Sequence, residues 1–267
     1  MENITSKNNQ YIKQARSLQE KKYRDKENLY LIEGLRLSEE ALSVQEDLSY
    51  GFISHKFLMQ PRAARLIDDL QNLQVPLFLL EDNLFAYCSD TVQPQGILLV
   101  AKKANNSRER LLAGSKSFWF LADDLQDPGN LGTILRTAWA AGADGAVILA
   151  GGVDQYNPKV VRSSMGAVFN LPIYIADDNG DALSLIREAG LEILVASSEG
   201  NIIYNEADLK KPLVWVLGSE AHGASEMWKK EANSIVSLPM YGNAESLNVA
   251  VAGGILFYET LRQRIDS

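Results

Sequence analysis

The C-terminal half of this chain carries a series of short, continuous apolar runs, and nothing else in the sequence restricts its fold as much. They are Ser117 to Ala122 (SFWFLA), Ala146 to Ala150 (AVILA), Ile173 to Ala176, Ile193 to Ala196, Leu213 to Leu217 (LVWVL) and Ile235 to Leu238. Each has the length of a strand, and the runs do not alternate apolar with polar residues as a strand with one wet face does. Helix patterns lie between them, at Leu131 to Ala141, Pro158 to Ala167, Asp181 to Ala189, Ala224 to Lys230 and Leu247 to Gln263. Apolar strands alternating with helices predict a parallel sheet covered on both faces. Ligands of such sheets bind at the carboxyl ends of the strands, so the loops that follow the strands are where function is sought.

The first hundred residues alternate α and β in shorter pieces. Residues 6–20 read as a basic amphipathic helix. Strand candidates follow at Tyr30 to Ile32, Phe52-Ile53, Val75 to Leu80 and Gly96 to Ala101, with helices near 35–44, 62–73 and 82–88 between them. This predicts a smaller N-terminal α/β domain over 1–104, a polar linker over 105–116, and a second domain over 117–267. No apolar run approaches the ~20 residues that span a bilayer. The opening MENITSKNNQ lacks the apolar core of a secretory signal, so the expected compartment is the cytoplasm. Cys88 is the only cysteine, and His55 and His222 are the only histidines. That excludes an intrachain disulfide and a multi-cysteine zinc site, and no metal is expected.

The net charge of −8 argues against nucleic acid when taken alone. Its distribution qualifies this. Lys7, Lys13, Arg16, Lys21, Lys22, Arg24 and Lys26 crowd one stretch against only Glu20 and Asp25, and Lys102, Lys103, Arg108, Arg110 and Lys116 form a second cluster. These are either an RNA footprint or a solvated helix face and linker, and charge alone favours the second.

Three post-strand loops are unusual. After SFWFLA comes DDLQDPGN, where Pro128-Gly129 turns the chain and Asn130 is placed to cap the next helix. Arg136 lies on that helix among apolar neighbours, so it is either paired with a carboxylate or functional. After LVWVL comes Gly218-Ser219-Glu220-Ala221-His222-Gly223, two glycines bracketing a carboxylate, which suits a backbone wrapped round a ligand or a plain turn. After the last strand comes PMYGNAESLN, with Ser246 placed as N-cap. Gly253 and Gly254 then sit inside a helix pattern, which marks either close approach of another backbone or a tolerated weakness. The phosphate-loop spacing G-x-x-x-x-G-K-[ST] is absent, and Gly151-Gly152 after AVILA is too short a match for a dinucleotide loop.

Together, NLGTILRTAWAAG, LGSEAHG and LPMYGNAESLNVAVA resemble, in order, the three motifs of the SpoU (TrmH-type) RNA 2′-O-methyltransferases of the SPOUT superfamily. SKNNQYIKQARSL and LYLIEGLRLSEEAL resemble the substrate-binding domain common in that family, and the segments around Asn157 and Arg162 resemble the stretch between its first two motifs. The resemblance covers most of the chain. It implies a C-terminal parallel-sheet α/β/α domain with a deep trefoil knot, against the general rule that chains do not knot. It also implies an N-terminal RNA-binding domain and a homodimer packed through the knot.

The implied reaction is methyl transfer from S-adenosylmethionine to a ribose 2′-hydroxyl of rRNA, or else tRNA. The alternative is a catalytically silent RNA- or ribosome-binding protein on the same scaffold. Carried over motif by motif, the catalytic set is Arg136, Asn130, Glu220, Ser246 and Asn248. The cofactor contacts are Leu217, Gly218, Leu238, Met240, Leu247 and Asn248. RNA contacts are expected from Lys21, Lys22, Arg24, Arg36, Arg136 and Arg162. In this picture Glu220 and Asn130 orient Arg136 or the loops, while Ser246 and Asn248 order the third loop.

Overall fold

The computed structural model describes residues 1–114, 117–242 and 245–265. The chain forms two compact units, Met1–Ala104 with Asp154–Phe169, and Asn105–Val153 with the chain from Asn170 onward. No helix among the described residues is long and apolar enough to cross a membrane.

In the first unit the strands are β1 (Glu2–Ile4), β2 (Leu29–Glu33), β3 (Leu48–Ser54), β4 (Leu77–Leu80) and β5 (Ile97–Lys102). The helices are α1 (Gln10–Ser17), α2 (Lys21–Glu27), α3 (Leu35–Ser43), α4 (His55–Leu58), α5 (Ala63–Asn72) and α6 (Asp82–Cys88). The sheet order is β1-β4-β3-β5-β2, with β5 antiparallel to both its neighbours. Ile12 and Ala15 of α1 pack with Phe52, Phe78, Leu98 and Val100 from the sheet in one apolar core.

The basic helix expected over 6–20 is the shorter α1, a second helix, α2, follows from Lys21, and Arg24 joins the two. Its Nη1 donates to the carbonyls of Leu18 and Gln19, both at 2.8 Å, which the end of α1 leaves free. Its Nε and Nη2 donate to Asp154 at 2.8 and 2.7 Å. Arg24 is 1% exposed. A buried guanidinium needs its donors satisfied in this way. Arg24 is therefore a structural ion pair and not the RNA contact expected of it.

In the second unit the strands are β6 (Phe118–Ala122), β7 (Gly145–Leu149), β8 (Ile173–Ala176), β9 (Glu192–Ala196), β10 (Ile202–Ile203), β11 (Leu213–Leu217) and β12 (Ser234–Ser237). The helices from here to the end of the chain are α7 (Arg108–Ala113), α8 (Pro128–Ala140), α9 (Pro158–Ser164), α10 (Ala167–Asn170), α11 (Asn179–Ala189), α12 (Glu226–Glu231) and α13 (Val249–Ile265). The sheet order is β10-β12-β9-β11-β6-β7-β8, parallel at every pairing. On one face Trp119, Leu121, Val147, Val214 and Val216 pack with Leu185 and Ile186 of α11 and Trp228 of α12. On the other, Phe118 and Phe120 meet Phe257 of α13, and Trp215 Nε1 donates to Thr260 Oγ1 at 3.0 Å. Both faces are covered, which is why these strands are apolar throughout.

Two boundaries differ from expectation. Residues 105–114 are part of the second unit, not a linker. The Asn106 side chain pairs with both backbone groups of Ile175 on β8, at 2.8 and 2.9 Å, and Arg108 grips Asp181 and Glu188 of α11. Ser115 and Lys116, the rest of that stretch, lie outside the described residues. The segment Asp154–Phe169 belongs to the first unit, where α9 packs along β2. Its single helix pattern is broken at Met165 and Gly166, whose φ angles are +51° and +97°. A Cβ on Gly166 would lie 2.5 Å from Glu40 Cγ as well.

Candidate active site

The three post-strand loops meet through side chains. After β6, Asp127 caps α8 by accepting from Asn130 N at 2.9 Å, with Pro128 as the first helical residue. Asn130 is thus not the cap expected of it. It lies inside the first turn with its amide free to work sideways, and it donates from Nδ2 to Glu220 Oε1 at 2.8 Å. Its Oδ1 accepts from Asn248 Nδ2 at 3.0 Å. Asn248 in turn caps α13, its Oδ1 accepting from Ala250 N at 2.9 Å and from Val251 N at 3.4 Å. Asn248, and not Ser246, is the cap of the last helix. Ser246 is exposed, and Asn243 and Ala244 lie outside the described residues.

A directional chain results: α13 amides to Asn248, Asn248 to Asn130, Asn130 to Glu220. Its polarity is set by the carboxylate, which can only accept. Burial pushes the Glu220 pKa up. The hydrogen bonds from Asn130 and from the Gln126 and Asp127 amides outweigh that, and the group ends below the usual glutamate value. Glu220 is therefore anionic at neutral pH.

The loop that carries Glu220 is closed on itself. Ser219 N donates to Gly223 O at 3.0 Å and Gly223 N to Ser219 O at 2.9 Å. A Cβ on Gly218 would lie 1.9 Å from Ala224 N. The glycine is required by the loop's own backbone, which accounts for it without any ligand. Leu217 is buried, and its carbonyl accepts from Asp123 N at 2.9 Å. The buried Asp123 carboxylate also accepts from Ser225 N at 2.7 Å. Asp123 and Asp127 thus hold the first loop to the second, and neither was singled out from sequence. The signal present was Asp-Pro at a helix start, which places the cap at Asp127.

Arg136 is exposed on α8, with no carboxylate partner among the described residues. Asn130 is committed to Glu220 and Asn248, so these residues order the loops and do not hold Arg136. Gly253 and Gly254 have different neighbours: a Cβ would lie 3.0 Å from Leu217 Cδ1 at the first and 3.5 Å from Thr137 Cγ2 at the second. The close approach is real at Gly253, to a side chain and not to a backbone.

The expected cofactor contacts surround one strand end. Leu217 ends β11 and Gly218 follows it, and Leu238 and Met240 follow β12. β9 lies between those strands. A ligand touching both sides crosses the end of β9, about 10 Å for two strand spacings. Such a ligand would also meet Ser197–Gly200, the loop after β9, which was not singled out from sequence. Gly200 there sits so close to β12 that a Cβ would lie 2.6 Å from the Val236 carbonyl carbon. Leu238 and Met240 are half-buried and Leu247 is 38% exposed, leaving apolar side chains at the strand ends. Backbone groups and apolar surface suit a ligand with an aromatic base and a thioether-like chain.

Of the remaining RNA candidates, Lys21 and Arg36 are exposed. Lys22 lies 3.8 Å from Glu20, and Arg162 is held by Asp90 at 3.0 Å with Glu33 at 4.0 Å.

Residues 117–258 match the profile of the SpoU rRNA Methylase family, and residues 9–99 match an MRM3-like substrate binding domain. The chain belongs to the SpoU rRNA methylase family. It is 33% identical over 258 residues to the 23S rRNA (guanosine(2553)-2′-O)-methyltransferase RlmP of Bacillus subtilis, covering 97% of this chain and 98% of that one. The AdoMet-bound rRNA methyltransferase from Sinorhizobium meliloti superposes with a TM-score of 0.87 at 28% identity, covering 98% of both chains. The SpoU methyltransferase AviRb from Streptomyces viridochromogenes, in complex with AdoMet, gives 0.87 at 26% identity, covering 97% of this chain and 100% of that one. In this SpoU chain the motif residues Asn130, Glu220 and Asn248 are the three side chains of the hydrogen-bonded relay.

Proposed function

We propose that this protein transfers a methyl group from S-adenosylmethionine to a ribose 2′-hydroxyl of rRNA, in the cytoplasm and as a homodimer. The observation that carries this is the relay Glu220–Asn130–Asn248, which ties all three motif loops at the start of α8, the helix that carries Arg136 with no carboxylate partner among the described residues. Leu217, Gly218, Leu238, Met240 and Leu247, with the end of β9, hold the cofactor. Bound there, S-adenosylmethionine supplies a methyl group already activated by a positively charged sulfur. Arg136 is a poor base, because its pKa exceeds about 12. Lacking a carboxylate of its own, it is free to stabilise the developing 2′-alkoxide and to grip an adjacent phosphate, while the proton leaves to phosphate or water. Ser246, exposed on the third loop, makes no hydrogen bond to the relay among the described residues.

Two further features support the family's architecture. From β9 the chain goes out to the edge strand β10, comes back inward past β9 to β11, jumps outward across β9 to β12, then returns over β11 as α13. This doubling back fits a threaded trefoil knot. Val251, Ile255 and Tyr258 line one exposed side of α13 at 52%, 37% and 51% exposure, and Trp139 of α8 is exposed too. An apolar stripe at helical spacing fits a dimer face.

The test is transfer of tritium from labelled S-adenosylmethionine to rRNA lacking the modification. Label is expected in alkali-resistant nucleotides, and Arg136→Ala is expected to abolish it while leaving cofactor affinity unchanged. Absence of both methyl transfer and cofactor binding in the unaltered protein would overturn the proposal in favour of a silent RNA-binding role.

A further inference from the structure

Several cations of the first unit have a carboxylate within 4 Å: Lys22 has Glu20, Lys102 has Asp47, the half-buried Lys103 has Asp25, Arg62 has Glu39 and Arg65 has Asp69. Lys7, Lys13 and Arg16 are exposed and pair with no carboxylate among the described residues. Two of them converge on one aromatic ring. Lys7 Nζ lies 4.7 Å from the centroid of Tyr87 on α6, and Arg16 Cζ lies 5.3 Å from it. Arg16 Nη1 also donates to the Tyr87 carbonyl at 3.3 Å. Lys13 stands on α1 three residues before Arg16, on the same exposed side.

The mount beneath this patch is well packed. Ile12 and Ala15 are fully buried under α1, and Leu84, Phe85 and Cys88 are buried under α6. Gln19 Nε2 donates to the Cys88 carbonyl at 3.1 Å, tying the two helix ends together. Tyr87, on the outer side, is 39% exposed. An exposed ring on a fixed helix, ringed by uncompensated cations on a chain of net charge −8, is poorly explained by stability alone.

We propose that Lys7, Lys13, Arg16 and Tyr87 form a contact for single-stranded RNA. One base stacks on Tyr87, and the flanking phosphates lie on the three cations. A base arriving on the ring replaces one cation, which swings to the phosphate that comes with it. Lys7, in the turn before α1, is the one placed to move. The proposal rests on RNA being the substrate, and it moves the electrostatic footprint from Lys21, Lys22 and Arg24 to the other side of the basic stretch.

The experiment uses the full chain with Tyr87→Leu, Tyr87→Phe and the double variant Lys7→Gln/Arg16→Gln. The probes are a short unstructured RNA oligonucleotide and an unmethylated rRNA transcript. Tyr87→Leu is expected to weaken oligonucleotide binding about ten-fold, and Tyr87→Phe by less than about two-fold, because stacking needs only the ring. The double variant is expected to reduce the slope of log K against log salt by about 1.4, the value for two phosphates on a single strand. In methyl transfer the RNA KM rises while kcat, cofactor affinity and melting temperature stay unchanged. Unaltered binding in Tyr87→Leu together with an unaltered salt slope in the double variant overturns the proposal. Transfer by the unaltered protein to any RNA keeps the two questions apart. If transfer occurs and the variants behave as the parent, only the patch fails. If no RNA is methylated and no cofactor is bound, yet Tyr87→Leu loses oligonucleotide binding, the transferase reading fails and the patch stands.

Discussion

Asn130→Asp changes one atom of the relay, turning its donor into an acceptor. The Oδ1 that receives Asn248 survives, but the donor that met Glu220 Oε1 at 2.8 Å becomes a second anionic oxygen. Two unit charges at that distance repel by about 1.5 kcal/mol at the dielectric of water and about 6 kcal/mol at an effective value of 20. The lost charge-assisted hydrogen bond adds about 1.5–3 kcal/mol. Solvent screens this partly open site, so the lower values apply to the repulsion. A ceiling also exists. Once the cost passes about 5 kcal/mol at pH 8, the pair takes up a proton instead, and by pH 6 that ceiling falls to about 2 kcal/mol. Asn130→Asp should therefore lower kcat/KM at pH 8 by at least about thirty-fold and recover as the pH falls. The parent should not behave this way. Its Glu220 pKa is lowered, so that stabilisation is complete above the ordinary value of 4.5 and is lost only as pH drops through the lower folded value. The decisive assay is rescue. Glu220→Gln in the Asn130→Asp background restores a donor facing an acceptor, keeps the Gln126 contact, and forfeits only one 3.3 Å bond to the Asp127 amide. Methyl transfer and cofactor titration at pH 8 should recover most of the loss. A double variant no better than Asn130→Asp would refute the relay as an ordering device and would make Asn130 a direct contact of substrate or cofactor.

Arg24→Ala should lower unfolding free energy by about 3–5 kcal/mol in denaturant titration, because it strands the Asp154 carboxylate and the Leu18 and Gln19 carbonyls just past α1. Cys88 should resist iodoacetamide at pH 8 in the native protein and react once unfolded, as read by mass spectrometry. Burial pushes its thiol up to about 12, against a small opposing effect from Arg16.

What could be read from sequence and what could not divides along the range of the interactions. The strands of the second unit were legible because a strand buried on both faces must be apolar at every position, and LVWVL and FWFLA state this locally. The caps were misread for a related reason. Asp127 and Asn130, or Ser246 and Asn248, are all competent caps by side-chain chemistry, and the choice within each pair is settled by a tie to another loop. Asn130 is drawn sideways by Glu220, ninety residues on, and Asn248 by Asn130. Arg24 was unreadable for the same cause, since the carboxylate that buries it stands at position 154, in a segment that returns to the first unit only in space. The basic stretch is the sharpest case. Composition sees Lys7 to Lys26 as one patch, but folding turns Arg24 inward, pairs Lys22 with its neighbour, and leaves Lys7 and Arg16 over a tyrosine contributed from position 87. Charge located a surface. Only the packing of α1 on α6 supplied the ring, and the ring is what turns a cluster of cations into a surface that distinguishes a nucleic acid, with its stacking bases, from any other anion.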